Sequence, residues 1–400
     1  MIALDPMLVN VDLTVVVVVL VKVLVAFAGL LVAVMLMIWF ERKVISDMQN
    51  RIGPNKAGPF GILQSLADGI KFFFKEDLIP DRADRFVFKL APYLSLVPAF
   101  LVFSVIPLAG NFSARGDTGL VEIAGKVTRV QVADPSIGLL FVLAMSSIAV
   151  YGVMLAGWSS GSKYPLLGSV RATAQMVSYE AALGLSALAV LLQSGFLETS
   201  AIVRSQTGYE WNIWMTGLIP FIIFFIASTA ELNRPPFDLV EAEQELVGGF
   251  HTEYSSIRFA LFFLAEFMNA ITMSAVIVTL FLGGPSGPGL GVSGWVADYV
   301  LPFIWFFAKV MLFLFTLVWM RGTLPRFRYD QLMDLGWKFL IPLALGWLVV
   351  LVALRVSGDE GWNWGVVAVL IILGLTALAG LLTKSIRTAE ERRELEEVND

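Results

Sequence analysis

As a pattern of apolar and polar positions, the chain is a series of long apolar runs separated by polar stretches. Nine runs are long enough to cross a bilayer, for which an α-helix needs about 20 residues: 13–40, 90–109, 137–157, 173–193, 213–230, 259–282, 300–320, 337–356 and 363–383. Each is expected to be helical, because a backbone exposed to lipid must satisfy its own hydrogen bonds. One polar stretch has a different pattern. Over FGILQSLADGIKFFFK (60–75), Phe60, Leu63, Leu66, Ala67, Ile70, Phe73 and Phe74 share one helical face. Gln64, Asp68, Lys71 and Lys75 share the other, which predicts a helix lying in the membrane interface. The segment 110–136 is mixed in charge and is expected to hold a short strand pair. The predicted class is all-α: one transmembrane domain over 1–383, with about nine spanning helices and an interfacial amphipathic helix. A charged tail, 384–400, follows and reads as a frayed, solvated helix.

Composition narrows the chemistry. Apolar residues make up 57% and charged residues 15%, against about 45–50% and 25% in soluble domains. With no Cys and one His among 400 residues, the chain has no means of building a disulfide scaffold, a thiolate-held iron–sulfur cluster, a Cys/His zinc site or a bis-histidine haem. A net charge of −5 gives no basic field for nucleic acid. The first run is not expected to be a cleavable signal, since Asp5 and Asp12 stand where a basic region belongs.

Basic residues are unevenly placed. If the N-terminus lies outside, inner segments hold 21 of the 28 Lys and Arg and outer segments hold 5. Lys22 and Lys309 lie within spans. This asymmetry predicts an outside N-terminus and a cytoplasmic C-terminus.

Several motifs are decoys. GLGVSG (289–294) fits a dinucleotide pattern but sits in a Gly/Pro-rich loop between two spans, without the flanking strand and helix. GWSSGSK (157–163) is one residue short of a phosphate-binding loop. Asn111-Phe112-Ser113 fits a glycosylation pattern too common to carry weight, and His251 alone makes no metal site.

The intramembrane charges carry more information, because each costs several kcal/mol and is a functional candidate by default. Glu180, Glu266, Lys22 and Lys309 fall inside spans, and a buried Glu–Lys pair is the plain alternative. A second acidic group follows the fifth span in AELNRPPFDLVEAEQEL. Glu231 closes that helix, Arg234 follows, Pro235-Pro236 stops it, and Asp238, Glu241, Glu243 and Glu245 come next. Crowded acids near low dielectric have raised, coupled proton affinities and suit proton exchange. An acidic metal site and a merely solvated loop are the alternatives.

Four blocks resemble a known family. ERKVISDMQNRIGPNKAGPFGILQSLADGIKFFFKED (41–77), GWSSGSKYPLLGSVRATAQMVSYE (157–180), NRPPFDLVEAEQELVGGFHTEYSSIRFALFFLAE (233–266) and RGTLPRFRYDQLMDLGWK (321–338) are similar to the H subunits of bacterial NADH-quinone oxidoreductase, respiratory complex I. The likeness runs from about 15 to 345. It implies a subunit of the bacterial inner membrane that joins a peripheral redox arm to an antiporter-like, proton-pumping membrane arm. Quinone is the implied substrate, and electrons from NADH arrive through FMN and iron–sulfur clusters on other subunits. No cofactor or metal is expected on this chain, which alone is not catalytic.

The resemblance assigns Glu41, Arg42, Arg51, Asp68 and Lys71 to the quinone entrance. It assigns Glu180, Glu231, Asp238, Glu241, Glu243, Glu245 and Glu266 to proton coupling, and Arg321, Arg326, Arg328 and Asp330 to a loop facing the redox arm. Leu232 and Val240 depart from the Thr and Pro common in the family, which bears on the shape of the acidic loop. The ninth span and tail extend beyond shorter members. The alternatives are a membrane anchor of a related ion-pumping hydrogenase or dehydrogenase, and an independent secondary transporter. The second lacks the expected repeated halves.

Overall fold

The computed structural model describes residues 5–110, 112, 119–239, 247–288 and 294–360, with scattered positions between 369 and 388. Seven described helices are long and apolar enough to span a membrane: Leu13–Met48 (α1), Arg85–Ser104 (α3), Gly138–Ser159 (α4), Lys163–Ser194 (α5), Ser256–Phe281 (α9), Val296–Thr323 and Tyr329–Ser357. The last two contain the α-helices Leu301–Thr323 (α10), Tyr329–Asp334 (α11) and Ile341–Glu360 (α12).

The fifth apolar run differs from its expectation. After the short helix Thr199–Ser205 (α6), it is divided into Asn212–Met215 (α7) and Leu218–Glu231 (α8), with Gly217 at φ 76° between them. At about 1.5 Å per residue, the 14 residues of α8 reach only about 21 Å. The Gly217 corner consumes residues that a straight helix would use for length. The ninth run, 363–383, and the tail lie largely outside the described residues.

Helix α9 is the centre of the bundle: 72% of its apolar window is buried, against 22% for α1 and 17% for the last span. Its second half is apolar or small around the whole circumference, from Ala270 to Phe281, as a helix packed on all sides requires. Close helix approach relies on small residues. A Cβ on Gly152 of α4 would come within 2.7 Å of the Ser95 backbone nitrogen on α3. Pro92 and Pro98, both buried inside α3, sit in the same packed region.

The interfacial helix forms over Gln64–Phe74 (α2), shorter than the amphipathic pattern because Phe60 is in a turn at φ 55°. Its apolar face is unfilled by the chain itself, with Phe73 and Phe74 strongly exposed. Three contacts fix its position. Trp39 Nε1 on α1 donates to the Phe60 carbonyl at 3.0 Å. Ser256 Oγ, at the start of α9, donates to the Phe72 and Lys75 carbonyls at 2.9 and 2.8 Å. Ser255 Oγ donates to the Glu76 carbonyl and accepts from the Leu78 amide.

At the opposite end, the expected strand pair is present as Leu120–Ile123 (β1) and Lys126–Arg129 (β2), antiparallel, with Leu120 opposite Arg129. Ala124 and Gly125 both have positive φ, the geometry of a tight hairpin turn whose twist matches its strands. Lys22 of α1 donates to Thr128 Oγ1 and the Arg129 carbonyl and lies 3.7 Å from Asp5. The Asp134 side chain is enclosed there and accepts from Arg129, Gln131 and Ser200. Lys309 donates to the carbonyls of Leu282, Gly284 and Ser286, satisfying backbone acceptors just beyond the end of α9. Both intramembrane lysines are thereby committed to the hairpin end, and the Glu–Lys pairing alternative is not realised by them.

Candidate functional site: a charged cavity and the acids behind it

Glu41 sits near the end of α1, on a face turned from solvent, and is buried. An isolated carboxylate there would be costly. Arg234 compensates it: Nη1 donates to both Glu41 oxygens at 3.1 Å. The same guanidinium uses Nε to reach Glu266 Oε1 on α9 at 2.8 Å, and lies 4.4 Å from the centre of the Phe267 ring. Arg321, in the last turn of α10, is a second donor to Glu41. Glu41, Arg234, Glu266 and Arg321 form a neutral quartet drawn from three helices and one turn.

That turn is held by neighbours. Helix α8 stops at Glu231 before the Pro235-Pro236 pair. Gln175 Nε2 on α5 donates to the carbonyls of Ala230 and Phe237 at 2.7 and 2.9 Å, gripping both sides of it. The Phe327 amide donates to the Pro236 carbonyl, and its ring stacks on Phe237. Asp238 is buried and paired with Arg326 at 3.1 Å. The stretch 321–338 is therefore part of the site's frame as well as a loop.

The quartet faces a cavity of about 650 Å³ that opens at the protein surface between α1, α9 and α10. Arg42, Arg51, Ile52, Pro54 and Phe263 complete its wall. Arg42 reaches Asp68 on α2 at 2.7 Å, and Lys71 lies 3.9 Å from the same carboxylate. Arg51 is exposed and donates to Gln49. Of the residues expected at the entrance, Glu41, Arg42 and Arg51 thus share one cavity, while Asp68 and Lys71 stand on the adjoining helix α2. Its lining offers four guanidinium groups against two carboxylates, with apolar surface between them. Such a wall can receive an uncharged ring bearing hydrogen-bond acceptors and keep its apolar tail toward α2.

Behind the quartet lies a second, smaller pocket of about 70 Å³ that contains Glu266 and Glu231 together with Asn233, His251 and Asn269. A third, about 20 Å³, joins Glu231 to Ser146, Asn269 and Thr272. Glu180 follows, hydrogen-bonded by Ser147 of α4. Glu41, Glu266, Glu231 and Glu180 therefore form a sequence of acids running inward from the cavity. Glu241, Glu243 and Glu245 lie outside the described residues. Arg328 and Asp330 are exposed and 3.6 Å apart, outside the cavity lining. Among the described residues no group of three or more His, Cys, Asp or Glu could hold a metal ion.

Sequence reasoning assigned no site role to Arg234, Gln175 or His251. Arg234 had a legible signal: one cation beside a Pro-Pro turn, close in sequence to acids that need compensation. Gln175 had none, because its role is to satisfy backbone carbonyls exposed by that turn.

Comparison with known proteins identifies the family. The family described as NADH dehydrogenase matches residues 21–352. The chain is 50% identical over 384 residues to the NADH-quinone oxidoreductase H subunit of Frankia alni, covering 95% of this chain and 82% of that protein. It is 50% identical over 335 residues to an H subunit of the same enzyme from Koribacter versatilis, covering 83% and 95%. The H subunit of Streptomyces avermitilis is 45% identical over 387 residues, covering 93% and 82%. With matched blocks that supply α1, α2, the Pro-Pro turn and α9, the chain belongs to the NADH dehydrogenase family, among the H subunits of NADH-quinone oxidoreductases.

Proposed function

We propose that this chain is the membrane subunit of an NADH:quinone oxidoreductase, forming part of the quinone cavity and coupling quinone reduction to proton translocation. Electrons from NADH reach the cavity through FMN and iron–sulfur clusters held by partner subunits, in keeping with the absence of Cys here. The partners are a peripheral redox arm seated over the cavity end and an antiporter-like arm continuing the membrane domain. The Lys/Arg asymmetry supports a bacterial plasma-membrane location with the N-terminus outside and the cavity end in the cytoplasm.

The observation that carries this reading is the Glu41–Arg234–Glu266–Arg321 quartet on the wall of an open cavity beside an interfacial helix. An isoprenoid quinone suits it: α2 offers its apolar face to the tail, and the guanidinium groups offer donors to the ring oxygens. Reduction changes the charge and hydrogen-bonding demand of the ring. Because Arg234 is shared by Glu41 and Glu266, a donor drawn toward the ring leaves a carboxylate less compensated, and its proton affinity rises. A proton gained at Glu266 then has Glu231 and Glu180 as successive acceptors. Energetically this is a population shift biased by unequal interaction with quinone and quinol.

The test is gentle purification of the tagged chain with its partners, followed by inhibitor-sensitive NADH:quinone activity and proton uptake in vesicles. Co-purification of flavin- and iron–sulfur-bearing subunits with coupled activity is expected. Quinone reductase activity that is indifferent to Glu41→Gln and Arg234→Lys overturns the cavity assignment.

A further inference from the structure

The chain's only histidine lines the 70 Å³ pocket together with Glu231 and Glu266. His251 ends the short turn Gly249–His251, outside the spanning helices. Phe250 and Phe259 hold its ring edge-on, with centroids 5.0 and 5.3 Å away. Among the described residues its ring nitrogens have no protein hydrogen bond, although the pocket they share contains Glu231, Asn233, Glu266 and Asn269.

Two acceptors in that lining are also unmet: Glu231 Oε2 and Asn233 Oδ1 are buried without a hydrogen-bond partner among the described residues. Unpaired buried acceptors are costly, and ordered water is the usual remedy. A water needs about 10–15 Å³ of accessible space and two to four polar partners. The pocket has room for more than one, and Glu231, Asn233, Asn269, Glu266 and His251 supply the partners. The aromatic walls leave the ring little else to bond with.

We infer that His251 is a proton-relay residue between Glu266 and Glu231, acting through water held in this pocket. The inference rests on the proposed coupling function and adds to it a group that is not a carboxylate. In the relay step one ring nitrogen takes a proton delivered from the Glu266 carboxyl. The proton on the other nitrogen leaves to the Glu231 carboxylate. The ring is neutral before and after, one N–H bond has formed and one has broken, and the imidazole has exchanged tautomers; a ring turn resets it. Burial holds the imidazole pKa down at about 4, so the ring is neutral near pH 7, with one nitrogen able to accept and the other to donate. Asp238 opposes that depression and Glu231 and Glu266 face the pocket.

The experiment uses the assembled complex in vesicles with His251→Ala. NADH oxidation by ferricyanide, which needs only partner subunits, is expected to be unchanged. The kcat for a short-chain quinone and the coupled proton uptake are expected to fall by about 10²-fold, the lower range for loss of an acid–base group, with KM for quinone unchanged. Added imidazole should restore both, whereas 1-methylimidazole, which keeps a basic ring nitrogen but has no N–H to pass on, should not. Equal rescue by both azoles, or by neither, overturns the relay. If His251→Ala fails to assemble, His251→Gln keeps volume and polarity without relay capacity; normal coupling in that variant also overturns it. Native complex that lacks quinone-linked proton uptake overturns the underlying function instead, so the two failures are distinguishable.

Discussion

At the hairpin end, Asp134 shares its charge among Arg129, Gln131 and Ser200, and Lys22 and Lys309 each find several oxygens. At the cavity end, Arg234 is divided between two carboxylates, and Glu231 has an oxygen with no partner among the described residues. The residue types are the same. The hairpin end gives its charged groups enough local partners for one fixed arrangement, as a structural network should. The cavity end makes Glu41 and Glu266 share Arg234 and sets Glu231 behind them with an oxygen unpartnered among the described residues, along open space. Shared and unmet partners of that kind let a proton or a ligand change the arrangement.

The comparison is sharpest at Arg234. Arg234→Ala leaves Glu41 and Glu266 without their shared cation, and breaking a buried pair in this way costs about 3–5 kcal/mol. Assembled complex should lose quinone reductase activity and show a lower Tm, while Arg234→Lys, lacking the planar fork, should recover only part. If Arg234→Ala keeps both properties, the quartet has no special standing. Asp134→Asn is the counterpart. Loss of charge-assisted hydrogen bonds should cost about 2 kcal/mol, visible as a lower Tm, while quinone turnover per assembled complex stays unchanged. A loss of turnover equal to that of Arg234→Lys would erase the contrast.

A smaller effect concerns pH. His251 is held neutral in the folded state with its pKa near 4, below the ordinary value of about 6.5. Between those values the unfolded chain binds the extra proton, so stability is fully present above about pH 6.5 and is lost as pH falls toward 4. From pH 7 to 5.5 the loss should be about 1 kcal/mol, measured as a Tm decrease that His251→Gln removes. Smallest of all is Arg42→Ala. Its pair with Asp68 is solvent-exposed, worth under about 1 kcal/mol. Stability should barely move, while KM for quinone rises if this pair orders the doorway.

Most of the fold is legible in apolar run length. The α1, α3, α4, α5, α9 and α10 spans follow from it, and the hairpin follows from a short, mixed-charge segment between two runs. The divided fifth run is not legible, because Gly217 looks like an ordinary apolar-run glycine until its positive φ is known. In the site, Glu266 and Glu180 are visible because charge inside an apolar run is expensive, Glu231 because it closes one, and Glu41 only through the family resemblance. Their partners are harder to read. Arg321 lies 280 positions from Glu41 and Arg234 lies 193 positions away, and no local pattern encodes such a pairing. His251 reads from sequence as a lone, unremarkable imidazole. Its pocket arises only when α9 and the turn after α8 come together.

The clasp at Ser256 has a geometric consequence for Glu266. Ser256 binds the carbonyls at the end of the interfacial helix, and its own φ of 55° sets the corner from which α9 departs. Ten residues separate Ser256 from Glu266, about 15 Å along a helix axis. On the interfacial placement expected of α2, the clasp would act as a depth gauge: it would set this carboxylate about half a hydrocarbon thickness below the surface, at a level fixed by the lipid boundary itself.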